Sequence, residues 1–232
     1  MVTLAIRTAL FVSLCSVALS GPACAALPVY VDDVSLTSGG VVLFSDGFTS
    51  GKLDGWVAVN GASITRVRPN PPGYCVCLFP QEDWVASITR SASANNSDVL
   101  ELSGRFYLPA PGATVRSGLV ALRVLSGTRL GTSSRKDSVW VGLVWNNKRG
   151  GYNVDVHWDA KSVCAGTVNG GVKPKTWVTV TLRFNRSTGR IAALVGGKEA
   201  SSTRCSPQNF EVIEGVSVES RFDTPGSPGN RP

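Results

Sequence analysis

The stretch GGYNVDVHWDAK, residues 150–161, sets Asn153, Asp155, His157 and Asp159 two residues apart. Three chemistries use such groups: paired carboxylates as acid and base, an imidazole tuned by neighbouring carboxylates, or a fixed array of hydrogen-bonding groups for a hydroxylated ligand. The spacing matches the period of an extended strand, which puts all four on one face and Tyr152, Val154, Val156 and Trp158 on the other.

Distance tests the first chemistry. Asp155 and Asp159 lie about 13 Å apart along a strand, whereas glycosidase carboxylates stand roughly 5 to 9.5 Å apart. Neither E-x-D-x-E nor E-x-D-x-x-E occurs in the chain. His157 is the sole histidine, so one chain has no multi-His metal site. As a lone base it has no nucleophile or oxyanion motif beside it, and a solvated strand histidine is the simpler reading.

The third chemistry needs a partner strand, and SVWVGLVWN (138–146) supplies one. Pairing Trp145 with Tyr152 sets Val144 opposite Asn153, Gly142 opposite Asp155 and Trp140 opposite His157. The candidate ligand-binding face is then Trp140, Asn153, Asp155, His157 and Asp159, with Gly142 leaving room above the sheet. An aromatic plate for the apolar side of a sugar, with acid and amide for its hydroxyls, is carbohydrate chemistry. A register slip of one residue would bury the stripe instead.

The elements that must carry this face are all strands. β-branched and aromatic runs bounded by Gly, Pro, Asn, Asp and Ser predict strands over 28–36, 41–48, 56–68, 74–79, 83–90, 98–108, 117–126, 138–146, 152–159, 163–168, 176–185, 190–197 and 212–220. No amphipathic helix is evident, and the fold class is all-β, a two-sheet antiparallel β-sandwich. Asn185 to Gly189, and the Asn, Lys, Arg and Gly residues between Trp145 and Tyr152, read as hairpin turns that place two strand pairs centrally in a large sheet.

The amino end reads as a secretory signal peptide over residues 1–25: one Arg, an apolar run from Thr8 to Ser20, and Ala23-Cys24-Ala25 for cleavage. No later apolar run is long enough for a membrane span, and 222–232 reads as a flexible polar tail. The expected location is secreted, extracellular or at the cell surface. Of six cysteines, Cys75, Cys77, Cys164 and Cys205 follow the signal. An even number in an exported chain predicts disulfides, with Cys75 and Cys77 bridging one each to Cys164 and Cys205. A four-thiolate zinc site competes, but C-x-C lacks the paired C-x-x-C spacing. Net charge is +7, in scattered small clusters, which excludes a concentrated nucleic-acid face and leaves a mild attraction to acidic polymers. Asn95 and Asn185 stand in N-x-S triplets.

VLFSDGFTSGKLDGW, with Asp46, a Gly-Lys-Leu turn and Trp56, resembles the entry of a concanavalin A-like lectin/glucanase jelly roll of the laminin-G-like sort. TWVTVTLRFNRSTGRIAALVGGKEA, with Trp177 and the Gly196-Gly197 turn, resembles its late hairpin. IEGVSVES resembles the strand that returns beside the first. The likeness covers residues 41–221 and implies a jelly roll, a fold that hosts lectins, glycosidases, lyases and adhesion modules alike. VYVDDVSL, within 26–40, is then an extra N-terminal strand, either sealing an edge against EGVSVES or left from a lost module. No cofactor is required; the resemblance makes calcium the candidate ion, held by Asp46 with Asp32 and Asp33. The expected function is a secreted, non-catalytic carbohydrate-binding or cell-surface adhesion module taking polysaccharide or glycoconjugate. A polysaccharide-active hydrolase or lyase and a structural envelope or particle protein are the competing readings.

Overall fold

The computed structural model describes residues 27–66, 73–80, 85–94, 99–111, 117–126, 138–158, 168–204 and 213–223. They form strands β1 (Val29–Ser38), β2 (Val41–Asp46), β3 (Val57–Val59), β4 (Ala62–Thr65), β5 (Cys75–Leu78), β6 (Ala86–Ser91), β7 (Val99–Tyr107), β8 (Ser117–Leu125), β9 (Ser138–Asn146), β10 (Gly151–Trp158), β11 (Val168–Val172), β12 (Trp177–Asn185), β13 (Arg190–Val195), β14 (Lys198–Arg204) and β15 (Gly215–Asp223). All pairings are antiparallel. The first sheet runs β14-β13-β12-β7-β1-β5-β4, with β2 beside β1, and the second runs β11-β10-β9-β8-β15-β6-β3. The fold is an antiparallel jelly-roll sandwich.

Period-two alternation builds the core. Val31, Val34 and Leu36 of β1, Leu100, Leu102 and Phe106 of β7, and Val180, Leu182 and Phe184 of β12 point inward from the first sheet. They meet Val120, Leu122 and Val124 of β8, Val139, Val141 and Leu143 of β9, and Val216 and Val218 of β15. Each such side chain, fully removed from water, contributes about 1.5–3 kcal/mol. Tyr152 is wholly buried and sends its hydroxyl to the Pro109 carbonyl at 2.9 Å. Burial raises its pKa, because the phenolate would lose its solvation.

The entry motif is a packed corner. Asp46 accepts the Phe48 amide through Oδ1 at 2.8 Å and the Trp56 indole N–H through Oδ2 at 2.9 Å. Arg90 reaches the same carboxylate at 3.6 Å and lies over the Phe44 ring at 4.6 Å. Phe44 meets Trp56 edge-on at 5.7 Å.

Several expectations change. The run 56–68 is two strands, split where Asn60 and Gly61 take φ of 50° and 90°, a left-handed turn that glycine tolerates without strain. Of 163–168 only Val168 falls among the described residues, and it opens β11. β14 was absent from the sequence reading because KEASSTR has no apolar alternation; it is an edge strand that buries only Ser201. The hairpin pairs β9–β10 and β12–β13 each sit one place in from an edge at their outer strand, rather than both at the centre. β1 does not seal an edge against the closing strand: it lies inside the first sheet beside β7, β5 and β2. The closing strand β15 pairs β6 and β8 in the other sheet, and both β1 and β15 turn apolar residues to the common core.

Val76 and Leu78 of β5 point into the core, so Cys75 and Cys77 share the opposite face of that strand, Cys75 buried and Cys77 half-buried, and Cys164 and Cys205 lie outside the described residues. Arg204, covalently next to Cys205, ends β14, five strand places from β5, about 24 Å across the sheet. The register Cys77–Tyr30–Tyr107–Trp177 and Arg204–Arg190–Asn185–Val99 adds a displacement along the strands of about 27 Å. A disulfide needs Cα atoms within about 7 Å, and Arg204, the described residue nearest Cys205 in the chain, stands several times that distance from β5. The signal segment and the tail from 224 onward lie outside the described residues.

Candidate functional site

β9 and β10 position the polar stripe, and the turn between them sets its register. Asn146 accepts the Lys148 amide through Oδ1 at 3.1 Å, while its carbonyl accepts the amides of Arg149 and Gly150 at 3.1 and 3.0 Å. The resulting pairs are Trp145 with Tyr152, Val144 with Asn153, Gly142 with Asp155, and Trp140 with His157. The register read from the sequence is therefore the one the hairpin adopts. Val139, Val141, Leu143 and Trp145 join Tyr152, Val154 and Val156 in the core, with Trp158 packed against it. Asn153, Asp155 and His157 share the opposite face with Trp140, and Asp159 lies one residue beyond the described part of β10.

Two strands remote in sequence complete this face. Register carries Trp140 to Arg123 on β8 and then to Ser217 on β15. Trp140 stacks on His157 at 3.8 Å with 10° between the rings, and the Arg123 guanidinium sits 4.5 Å from the indole centre. Arg123 and His157 come from strands on opposite sides of β9, so the indole stands between them. Arg123 donates to Glu219 at 2.8 Å and to Ser138 at 3.3 Å, and Ser217 donates to the other Glu219 oxygen at 2.7 Å. The cation in the stack is thereby paired and aimed.

Gly142 makes the stack fit. A Cβ there would lie 2.6 Å from Trp140 Cζ3 and 2.9 Å from Leu119 Cδ1, far inside van der Waals contact. Trp140 thus lies over the glycine and is only 9% exposed. The open aromatic plate expected of Trp140 is instead a wedged ring, with cation–π and stacking partners on its flanks.

Asp155 has the least satisfied group of the face. Its Oδ1 is buried without a hydrogen-bond partner, and its Oδ2 lies 3.9 Å from His157 Nε2. Asn153 Oδ1 accepts Asn146 Nδ2 at 3.5 Å. An orphaned carboxylate oxygen costs about 1–3 kcal/mol or more.

The calcium set does not form a cation cage. Asp46 points both oxygens at N–H donors and a guanidinium. Asp32 is 8% exposed and accepts the Asp33 amide at 2.9 Å, and Asp33 pairs with Arg105 at 3.5 Å. Burial raises the Asp32 pKa, with the Asp33 amide opposing it. Among the described residues no group of three or more His, Cys, Asp or Glu side chains is placed to hold a metal ion, and no helix is long and apolar enough to cross a membrane.

Fold and register together define an antiparallel two-sheet jelly-roll sandwich. Among solved structures, the chain is similar to the carbohydrate recognition domain of Emp46p, with a TM-score of 0.55 and 15% identity over 82% of this chain and 88% of that one. The potassium-bound form of that domain gives 0.54 and 14%, over 82% and 89%. The globular domain of T. cruzi calreticulin gives 0.50 and 8%, over 75% and 83%. At these identities the likeness is one of fold. No family model matches the sequence, and no curated protein matches it.

Sequence reasoning missed Arg123, Ser217 and Glu219. They lie on strands whose neighbourhood with β9 is set by sheet order, and no local spacing signals it.

Proposed function

We propose that this protein is an exported, non-catalytic carbohydrate-binding module whose ligand meets the outer face of the second sheet at Asp155, Asn153 and His157. Asp155 carries the reading: its Oδ1 lacks a protein donor, its side chain keeps 16% of its surface open, and a sugar hydroxyl is a donor of the size and polarity to meet the carboxylate there. Trp140, braced by Arg123 and His157, holds the imidazole and presents an indole edge rather than a face. The fold is shared with domains named for carbohydrate recognition, which favours this use of the stripe. Glu219, the other acid of the face, is engaged by Arg123 and Ser217 and acts as a structural anion. Asn153 holds the ligand's second hydroxyl in this reading.

Export accounts for the leader-like amino end, and N-terminal sequencing of material from culture medium should begin at Ala26. Because Arg204 ends β14 far across the first sheet from β5, the bridge in this reading joins Cys164 to Cys205. Their described neighbours Trp158 and Arg204 end β10 and β14, which face each other across the sandwich. Peptide mapping without reduction tests it: a linked pair containing Cys75 or Cys77 would contradict it.

Binding is tested on a glycan array and then by calorimetry. Wild type should bind at least one glycan, and Asp155→Ala should weaken it tenfold or more, since hydrogen bonds to charged groups contribute about 1.5–3 kcal/mol. Reducing ends or unsaturated product released from a polysaccharide panel by wild type, and lost in His157→Ala, would replace this reading with an enzyme.

A further inference from the structure

The outer face of the first sheet carries an aromatic row unrelated to the polar stripe. Register aligns Ser63, Cys77, Tyr30, Tyr107 and Trp177 across β4, β5, β1, β7 and β12. Tyr30 and Tyr107 have ring centres 6.2 Å apart at 51°, and Tyr107 and Trp177 have centres 5.7 Å apart at 56°. All three are half-buried, so the rings rest on the sheet with part of their surface open. Ser35, Ser103, Thr179 and Thr181 extend the same face, and Ser103 and Thr181 share a hydrogen bond of 3.0 Å. Arg105 lies over Trp177 at 4.9 Å and is held by Asp33 at 3.5 Å. The Trp177 indole N–H has no hydrogen-bond partner.

The structure assigns this row, by its chemistry, as a second carbohydrate site, one that takes a single chain of a neutral polysaccharide. Three properties choose that occupant. The rings form a line crossing the strands, with one aromatic group available per sugar for about three sugars, and aromatic faces pack well on the apolar side of a pyranose. The bed beside them bears hydroxyls and a guanidinium, which match sugar hydroxyls, where the core of a protein interface would be depleted of charge. Arg105 is neutralised by Asp33, so the row offers donors without net charge, which fits a neutral chain. The tilt of more than 50° between successive rings suits a chain that turns from unit to unit and is soluble, not the flat surface of a crystal.

The site rests on the broader reading that this chain takes carbohydrate, yet it shares no residue with the Asp155 face. The experiment therefore uses wild-type protein and Asp155→Ala, each titrated with soluble hexasaccharides of β-1,4-linked glucose, xylose, mannose and N-acetylglucosamine while indole emission is followed. Wild type and Asp155→Ala should bind a hexasaccharide equally, and the matching disaccharide at least tenfold more weakly. Trp177→Ala and Tyr107→Ala, with circular dichroism unchanged, should each lose about tenfold. Should Trp177→Ala fail to fold, Tyr107→Ala and Tyr30→Ala carry the test. Absence of binding to every hexasaccharide overturns the proposal, as does binding unchanged in the ring variants. A wild-type dimer in sedimentation that Trp177→Ala dissociates overturns it too, by naming a second copy as the occupant. Loss of hexasaccharide binding in Asp155→Ala with retention in the ring variants would return the ligand to the second sheet.

Discussion

Trp140 and Trp177 both point outward from sheet faces, and the structure uses them differently. Trp140 stands between Arg123 and His157 above Gly142, almost closed to solvent. Trp177 ends a row of three half-buried rings and keeps an unpartnered N–H. The difference comes from neighbours two residues or one strand away. Gly142 lets one indole lie down and lock, whereas Arg105, Thr179 and Tyr107 leave the other at the rim of a hydroxyl-bearing face. An outward aromatic is thus a structural wedge or a ligand platform according to what the register places beside it.

The largest expected effect tests the wedge. Trp140→Ala should destabilise by about 3–5 kcal/mol in chemical denaturation, the range for losing a buried indole, whereas Trp177→Ala should cost under about 1 kcal/mol, as partly exposed substitutions do. Equal costs would erase the contrast. Gly142→Ala should follow at about 1–3 kcal/mol, because the added carbon meets Trp140 Cζ3 at 2.6 Å and overpacking is charged on that scale. The same variant should weaken binding at the Asp155 face and leave the aromatic row unchanged. Asp155→Asn sharpens the site more gently: with its orphaned oxygen no longer charged, the melting temperature should hold or rise while glycan affinity falls.

The smallest effect is one of pH. Burial raises the Asp32 pKa from its ordinary 3.8, so the folded state favours the proton. Its destabilising contribution is absent below the unfolded value, appears as pH rises past it, and is complete above the folded value. Asp32→Asn should therefore be more stable than wild type at neutral pH, by under about 1 kcal/mol, with the gap closing as pH falls toward about 4 and gone below it. A gap that widens on acidification would contradict the assignment.

Legibility followed locality. The β9–β10 register could be read because a short turn joins two alternating runs whose apolar sets must face one core. The Gly196-Gly197 turn, with φ of 57° and 80°, was given by the resemblance, and the strand after it was not read. The place of β1 failed because it depends on sheet order, which alternation leaves undetermined. β14 carries almost no apolar signal, and the split at Asn60-Gly61 is a left-handed kink inside a run that reads as continuous. The candidate face was half legible: Trp140, Asn153, Asp155 and His157 come from one hairpin, while Arg123 and Glu219 arrive from β8 and β15. Asp46 was recognised as a motif residue, but its partners Trp56 and Arg90 show a corner lock in place of a calcium ligand.

The central claim is that a glycan donates to Asp155 on the second sheet. Calorimetric titration of wild type and Asp155→Ala with the glycan selected by array tests it most directly. The account predicts saturable binding by wild type and a loss of tenfold or more in the variant at unchanged circular dichroism. Equal affinity in the two proteins would contradict it.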